Sequence, residues 1–310
     1  MKLRKLAALV LAGVMAMSMA ACSAASVEGE KPAAEGEAAG SGSIGLSVST
    51  LNNPFFVTLS EGAEAKAKEL GVELITVDAG DDSAKQASDI EDMISKNISV
   101  LIVNPVDSDA VAPAVEDAIA KGIKVVAVDR VVNGVDVDCS IASDNVAGAK
   151  MAAEYLVQLA GEKAKTAELE GVNGASATID RGEGFHSVAD EKLTVVASQT
   201  ANFNRAEGMS VMENMLQANP DIQCVFAHND EMALGAIEAI GDKGIIVAGF
   251  DATDDAIAAI KEGKMAATVA QQPDLMGATA VETAQKLMNG ESVEKNLPVE
   301  VTLITKDNVQ

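Results

Sequence analysis

The body of the chain alternates between short apolar runs and longer stretches in which apolar residues recur at helical spacing. The first unit begins with the apolar run at residues 44–49, which predicts a buried strand. Asn53 and Pro54 follow, and they suit the N-cap and first position of a helix that continues to Gly71. This unit presents polar and aromatic side chains at the carboxyl end of a strand, where small ligands bind in open α/β sheets.

The same pattern repeats along the chain. Nearly continuous runs of Val, Ile and Leu, separated by helical stretches, are typical of parallel sheets covered by helices on both faces. The alternation restarts after Asp144, which predicts two α/β lobes with a crevice between them. The further predicted strands are residues 72–77, 100–103, 123–128, 166–170, 193–197, 224–227, 245–248 and 268–270, and the further predicted helices are 84–95, 111–121, 146–159, 182–189, 206–218, 231–240 and 273–288.

The beginning of the chain predicts export. Basic residues precede an apolar stretch, residues 6–21, that is too short for a membrane-spanning helix. The sequence Met-Ala-Ala-Cys that ends at Cys22 resembles a bacterial lipoprotein cleavage site. It predicts a signal peptide at residues 1–21 and lipid on Cys22, the alternative being an ordinary cleaved signal with an incidental cysteine.

Residues 22–42 are rich in Ala, Gly, Ser and Glu and predict a flexible tether. A lipid and a tether would anchor the protein to the outer face of the cell membrane without embedding it. The alternative location is periplasmic. About 270 residues follow the tether, enough for two cores. The formal net charge of −24 repels phosphate backbones, so we expect no nucleic-acid partner.

The motifs of the common catalytic and cofactor sites are absent from the sequence. It contains no HExxH, CxxC, GxxxxGK[ST], GxSxG or strand-linked GxGxxG, and only two histidines. We therefore expect no catalytic residue, no metal and no cofactor. Cys139 and Cys224 lie in separate apolar segments and are expected to be buried thiols.

Polar and aromatic residues collect near the predicted strand ends. The residues at these ends include the candidates Asn53, Phe55, Phe56, Asp129, Arg130, Arg181, Phe203, Asn229, Asp251 and Gln271. Each hydroxyl of a sugar both donates and accepts, and the C–H faces of the ring favour aromatic contacts, so this mixture suits a polyol. Taken singly, each aspartate is explained equally well by a turn or helix cap, each arginine by a surface ion pair, and each phenylalanine by packing.

Nine stretches resemble one known family. They are LSVSTLNNPFFVTL, VNPVDSDAV, VDR, IASDNVAGAK, ELEGVNGASA, DRGEGF, VFAHNDEMALGA, GFDAT and AATVAQQPD. In order and spacing they resemble the type I periplasmic binding proteins, in particular the D-ribose-binding members that serve ABC-type sugar importers. The resemblance extends from Ser43 to a last strand at residues 301–306.

The resemblance implies two Rossmann-like lobes joined by three crossings, with an N-terminal lobe of residues 43–143 plus 272–300 and a C-terminal lobe of 144–271 plus 301–310. The seven polar candidates would then bond to the sugar hydroxyls, and the three phenylalanines would pack on its faces. It also implies a monomer that binds D-ribose or a related monosaccharide and then a membrane permease, and it leaves open whether a chemoreceptor also recognises the closed form.

Alternatives remain within and beyond this class. The ligand could be another pentose, a hexose such as allose or galactose, or autoinducer-2. Asp129 and Asp251 could instead form the carboxylate pair of a ribosyl-cleaving enzyme. A sugar-responsive transcription repressor shares the two-lobed body, but the sequence lacks a helix-turn-helix before Ser43 and predicts export.

Overall fold

The computed structural model describes residues 42–310. The predicted signal peptide, Cys22 and residues 22–41 of the predicted tether lie outside the described residues. Among the described residues, no helix combines the length and the apolar character needed to cross a membrane. Cys139 and Cys224 are free and buried, which confirms the prediction of two buried thiols.

Residues 42–310 form two six-stranded sheets with helices on both faces. The strands are β1 (Ile44–Val48), β2 (Leu74–Asp78), β3 (Val100–Val103), β4 (Lys124–Val128), β5 (Cys139–Ser143), β6 (Lys165–Glu170), β7 (Thr194–Thr200), β8 (Cys224–Ala227), β9 (Ile246–Asp251), β10 (Ala267–Ala270), β11 (Asn296–Val299) and β12 (Thr302–Thr305). The helices are α1 (Pro54–Leu70), α2 (Ser83–Ser95), α3 (Ala112–Ala120), α4 (Asn145–Ala160), α5 (Ser176–Lys192), α6 (Arg205–Ala218), α7 (Asp230–Ile240), α8 (Asp254–Glu262) and α9 (Pro273–Met288).

The order of the first sheet is β11-β5-β4-β3-β1-β2, and the order of the second is β12-β10-β9-β8-β6-β7. Neighbouring strands are parallel except β10 and β12, which are antiparallel. The chain passes between the sheets three times, after β5, after β10 and after β11. The predicted fold class of two α/β lobes is confirmed, while the residue boundaries of the lobes stay a prediction.

The strands are apolar because both faces of each sheet are covered. In β1, Ile44 and Leu46 pack into a core beneath α1 and α9, while Leu101 and Val103 of β3 pack into a second core on the opposite face. The second sheet likewise separates two cores. Fully burying one such aliphatic side chain stabilises the fold by about 1.5–3 kcal/mol.

Helix α1 has the ends that the sequence predicts. The side chain of Asn53 accepts a hydrogen bond from the backbone N–H of Phe55 at 2.9 Å, and Pro54 occupies the first helical position. Gly71 ends the helix in a left-handed conformation with φ of 70°. Because the cap fixes where α1 begins, it also fixes where Phe55 and Phe56 point.

Several elements differ from the prediction. Strands β5 and β11 and helix α8 were not predicted, because they are short and carry few large apolar residues. Helix α5 begins at Ser176, six residues before the predicted start at residue 182. Thr178 and Ile179 weaken the local helix signal because β-branched residues have lower helix propensity. Arg181 therefore lies inside a helix and not in the loop that follows a strand.

Helices α1 and α9 approach each other closely at two glycines. A Cβ atom on Gly277 would lie 2.0 Å from the backbone oxygen of Leu59, and one on Gly62 would lie 2.2 Å from that of Asp274. These glycines allow the two helices to dock side by side on the first sheet. This docking holds the start of α1, and thus Asn53, at the carboxyl edge of the sheet.

We expect Gly277→Ala to lower the free energy of unfolding by about 1–3 kcal/mol, because the added methyl group collides with fixed backbone. The matched control is Gly182→Ala in α5, where an added Cβ meets nothing closer than His228 Cε1 at 3.7 Å. This control should stabilise the protein by up to ~1 kcal/mol through helix propensity. Urea unfolding measures both, and equal effects of the two substitutions would contradict the close-packing explanation.

Candidate functional site

The structure brings all ten predicted binding residues to one cavity between the two sheets. The cavity, which is partly open to solvent, contains about 240 Å³ of space not filled by protein atoms. It is lined by Asn53, Phe55, Phe56, Asp129, Arg130, Arg181, Phe203, Asn229, Asp251 and Gln271, and by Ala177, which the sequence analysis did not identify. All ten side chains are buried. That they bind a ligand stays a prediction.

The strand ends place these residues. In the first lobe, Asn53 lies between β1 and α1, and Asp129 follows β4 directly. In the second lobe, Asn229 caps α7 after β8, Asp251 is the last residue of β9, and Gln271 follows β10. Because parallel strands of one sheet end at the same edge, residues far apart in sequence meet here.

Two carboxylates and two guanidinium groups share the cavity. Asp129 Oδ2 lies 3.5 Å from Arg130 Nε, and Asp251 Oδ1 lies 3.8 Å from Arg181 Nη1. These distances exceed those of ordinary hydrogen bonds. Each charge therefore has a partner nearby and keeps hydrogen-bonding capacity for a ligand.

Burial opposes all four charges. It raises the pKa of Asp129, against the influence of Arg130 and Arg181, and it raises the pKa of Asp251 well above its usual value, against the influence of Arg181. Burial also lowers the pKa of both arginines. A ligand that supplies hydrogen bonds inside the cavity would replace the water that these groups have lost.

Two polar atoms in the cavity wall have no hydrogen-bond partner within the described part of the chain. They are Arg130 Nε, a donor, and Gln271 Oε1, an acceptor. The other end of the Gln271 amide donates to Asp251 Oδ1 at 2.7 Å. A buried unpaired donor and acceptor are costly, so the site is suited to a ligand that offers both functions.

Aromatic rings hold the guanidinium groups. The Arg130 guanidinium carbon lies 5.1 Å from the ring centre of Phe56 and 5.4 Å from that of Phe203. The Arg181 guanidinium lies 3.9 Å from the ring centre of Phe250, which the sequence analysis did not assign to the site. Cation–π attraction is stronger away from water, so these rings orient both arginines within the cavity.

A further set of buried polar groups, outside the cavity wall, bonds to the Asp129 carboxylate and the Arg181 guanidinium. Asn104 donates to Asp129 Oδ2 at 3.0 Å, and Asn145 accepts from Arg181 Nε at 2.8 Å. The backbone oxygen of His228 accepts from Arg181 Nη1 at 2.6 Å. The sequence analysis did not give these residues a role, although each of them directly follows, or lies within two residues of, a strand end.

The two lobes also contact each other directly beside the cavity. Ser108 N donates to Gly174 O at 3.0 Å, and Ser176 N donates to Ser108 Oγ at 3.2 Å. Val131 N donates to Ser176 Oγ at 3.1 Å. These three hydrogen bonds, here called the interlobe contact, join the loops after β3 and β4 to the start of α5.

Neither histidine lines the cavity. His228 Nε2 and His186 Nε2 lie 3.0 and 3.1 Å from the two oxygens of Glu168. Although burial by itself raises the pKa of Glu168, the hydrogen bond with His228 and the neighbouring groups bring it below its usual value. Across residues 42–310, no group of three or more His, Cys, Asp or Glu side chains is arranged to hold a metal ion.

Known proteins are similar to this chain in sequence and in architecture. The ribose import binding protein RbsB of Bacillus subtilis is 52% identical over 265 residues, which cover 85% of this chain and 87% of that protein. An ABC transporter solute binding protein from Bacillus halodurans, solved with bound myo-inositol, is 36% identical with a TM-score of 0.83 and covers 88% of this chain and 97% of that chain.

A periplasmic solute binding protein of an ABC transporter from Actinobacillus succinogenes, solved with bound D-allose, is 32% identical with a TM-score of 0.79 and covers 86% of this chain and 99% of that chain. The sequence profile of the family described as the periplasmic binding protein domain matches residues 44–292. Since this match spans most of both lobes, the chain belongs to the periplasmic binding protein family.

Proposed function

We propose that this protein captures D-ribose in the cavity between its lobes and delivers it to an ABC-type importer. The observation that carries the proposal is one cavity in which two carboxylates, two guanidinium groups, three amides and three phenylalanine rings meet. Ribose import binding proteins that share about half of their residues with this chain support the choice of ligand.

The polar groups match the hydroxyls of a sugar. Asp129 and Asp251 accept hydrogen bonds, while Arg130 and Arg181 donate them in fork geometry. The oxygen of the Asn53 side chain is already used in capping α1, so its NH₂ group is the part left to donate to a ligand. Bonds of this kind replace those that a strongly hydrated solute loses to water on entering the cavity.

Binding is coupled to closure of the lobes. Asp129 and Arg130 belong to the first sheet's loops, whereas Arg181 and Asp251 belong to the second lobe. A sugar contacts both sets only when the lobes are closed, so its binding shifts the equilibrium toward the closed form. The permease would then recognise the closed arrangement of the two lobes.

Among monosaccharides, D-ribose is preferred over a hexose. Phe55, Phe56 and Phe203 occupy much of the cavity wall, and an additional hydroxymethyl group would need room beside them. Other pentoses, allose, galactose and autoinducer-2 are the alternative ligands. The solved relatives with bound myo-inositol and D-allose illustrate that this architecture accepts larger ligands in other proteins.

Binding without turnover is the proposed activity. The family consists of solute-binding proteins. Asp129 and Asp251 each lie beside an arginine, whose charge opposes the rise in pKa that burial causes and favours the hydrogen-bond-accepting carboxylate. Both histidines are engaged by Glu168 outside the cavity, so neither is placed to activate water there.

Proteins of this family are exported, and we propose in addition that lipid on Cys22 holds this one at the outer face of the membrane. The basis is the Met-Ala-Ala-Cys sequence after an apolar stretch. Attachment by a tether raises the effective concentration of the carrier near its permease. It needs no membrane-spanning helix.

We expect D-ribose to bind the purified protein in calorimetric titration more tightly than xylose, arabinose, allose, galactose or autoinducer-2. Asp251→Asn should weaken binding about 10- to 150-fold, because a hydrogen bond to a charged group contributes about 1.5–3 kcal/mol. The matched control is Asp242→Asn on an exposed turn, which should leave affinity unchanged. Binding of a different sugar alone would overturn the assignment of ribose, and failure of every sugar would overturn the proposed function.

Ser176→Ala should weaken ribose binding roughly two- to tenfold, because the closed form loses the hydrogen bond from Val131 N. The control is Ser187→Ala in the same helix, whose hydroxyl bonds only to the backbone oxygen of Gly184. Calorimetry measures affinity, and small-angle scattering with and without ribose measures closure. Equal affinities of the two variants would contradict a contribution of the interlobe contact to closure.

In the native host, we expect the full-length protein in the membrane fraction and Cys22→Ser in the soluble exported fraction, because the variant has no thiol to acylate. Ser23→Ala is the control and should stay with the membrane. Immunoblotting of the fractions is the measurement. The same distribution for all three proteins would count against lipid attachment at Cys22.

A further inference from the structure

The turn that carries Asp251 has an unusual backbone. Asp251 and Ala252 have φ of 126° and 59°, two consecutive non-glycine residues with left-handed backbone. Such conformations are unfavourable for residues with a side chain and persist only where surrounding groups hold them. Asp251 faces the cavity beside Arg181 and Gln271, so this backbone directs a proposed sugar-binding carboxylate.

One buried carboxylate and one buried hydroxyl hold this turn. Asp230 Oδ2 accepts from Thr253 N at 2.9 Å, and its Oδ1 accepts from Thr268 Oγ1 at 2.6 Å. Thr268 Oγ1 in turn accepts from Ala252 N at 3.1 Å. The amides of the two residues after Asp251 therefore both bond to the Asp230–Thr268 pair, which is inaccessible to solvent.

The sheet is built to accommodate this pair. Thr268 of β10 lies opposite Gly249 of β9 in the parallel register. A Cβ atom on Gly249 would lie 2.3 Å from Asp230 Oδ1, so only glycine leaves space for the carboxylate. Asp230 is the first residue of α7, where the helix dipole favours a negative charge.

Neither residue of the pair lines the cavity, and both bond to the 251–253 turn that borders it. Burial raises the pKa of Asp230 to about 7, while its hydrogen bonds from Thr268 and Thr253 favour the ionised form. A carboxylate so close to Asp251 also repels it and raises its pKa. Burying a carboxylate costs free energy because it loses its hydration. Here both oxygens of Asp230 accept hydrogen bonds that hold the turn.

We propose that Asp230 and Thr268 are positioning residues for sugar binding. They hold residues 251–253 in the strained conformation that directs the Asp251 carboxylate into the cavity. The inference rests on the proposed function, since ribose binding is its readout. It assigns a role to two residues that have no contact with the ligand cavity.

The test is a calorimetric double-mutant cycle on the full chain with D-ribose. Thr268→Val keeps the shape and removes the hydroxyl, so affinity should fall about tenfold or more. Thr268→Ser is the matched control, and its affinity should stay within about threefold of that of the unmodified protein, because serine keeps the hydroxyl as donor and acceptor. In an Asp251→Asn background, Thr268→Val should change affinity less than about twofold, because its effect passes through Asp251.

The outcomes separate the two proposals. If the unmodified protein binds no ribose, the proposed function fails, and with it the role in sugar binding. The positioning role is overturned if the protein binds ribose and Thr268→Val binds it with the same affinity as the unmodified protein. It is also overturned if Thr268→Val lowers the affinity equally in the unmodified protein and in the Asp251→Asn variant. Should Thr268→Val lack a cooperative thermal transition, Asp230→Asn replaces it in the cycle. Asparagine would turn its NH₂ group, which cannot accept a hydrogen bond, toward either Thr253 N or the Thr268 hydroxyl. The same non-additive loss of affinity is therefore expected.

Discussion

The structure depends on pairing four buried charged side chains in the cavity between the lobes. Asp129 and Arg130 form a neutral pair on the first lobe, and Asp251 and Arg181 form another on the second. A buried charge without a partner is strongly destabilising, and here each charge has its partner on the same lobe. Since each lobe carries its own compensation, the lobes can separate without exposing an unbalanced charge. Closure then adds interactions with a ligand and is not needed to neutralise the protein.

Positioning these charges requires strained backbone conformations, and contacts with other residues stabilise those conformations. Asp129, Phe203 and Asp251 all have positive φ, and all three line the cavity. Behind the carboxylates stand buried polar groups, Asn104 for the first and the Asp230–Thr268 pair for the second. Strained backbone often accompanies function because binding needs side chains in orientations that relaxed loops do not supply. The four apolar cores supply the stability that makes this tolerable.

The sequence predictions succeeded where the signal was local and failed where it was weak. The capped start of α1 was correct because Asn53 and Pro54 specify it within a few residues. The start of α5 was wrong because Thr178 and Ile179 resemble a loop or a strand as much as a helix. The candidate residues were nevertheless found together, since any polar group near the end of a parallel strand approaches the same edge of the sheet.

The sequence by itself determined two α/β lobes, because apolar periodicity is a local property, and its resemblance to a known family selected the ten residues from the polar and aromatic groups at the strand ends. Only the tertiary structure decided how those residues are held. The ring of Phe250 beneath Arg181, the amide of Asn104 on Asp129 and the hydroxyl of Thr268 beneath the 251–253 turn join segments distant along the chain. Such contacts arise from packing and register between strands, which no local pattern encodes. The interlobe contact has the same origin, because it needs loops of two separate sheets to face each other.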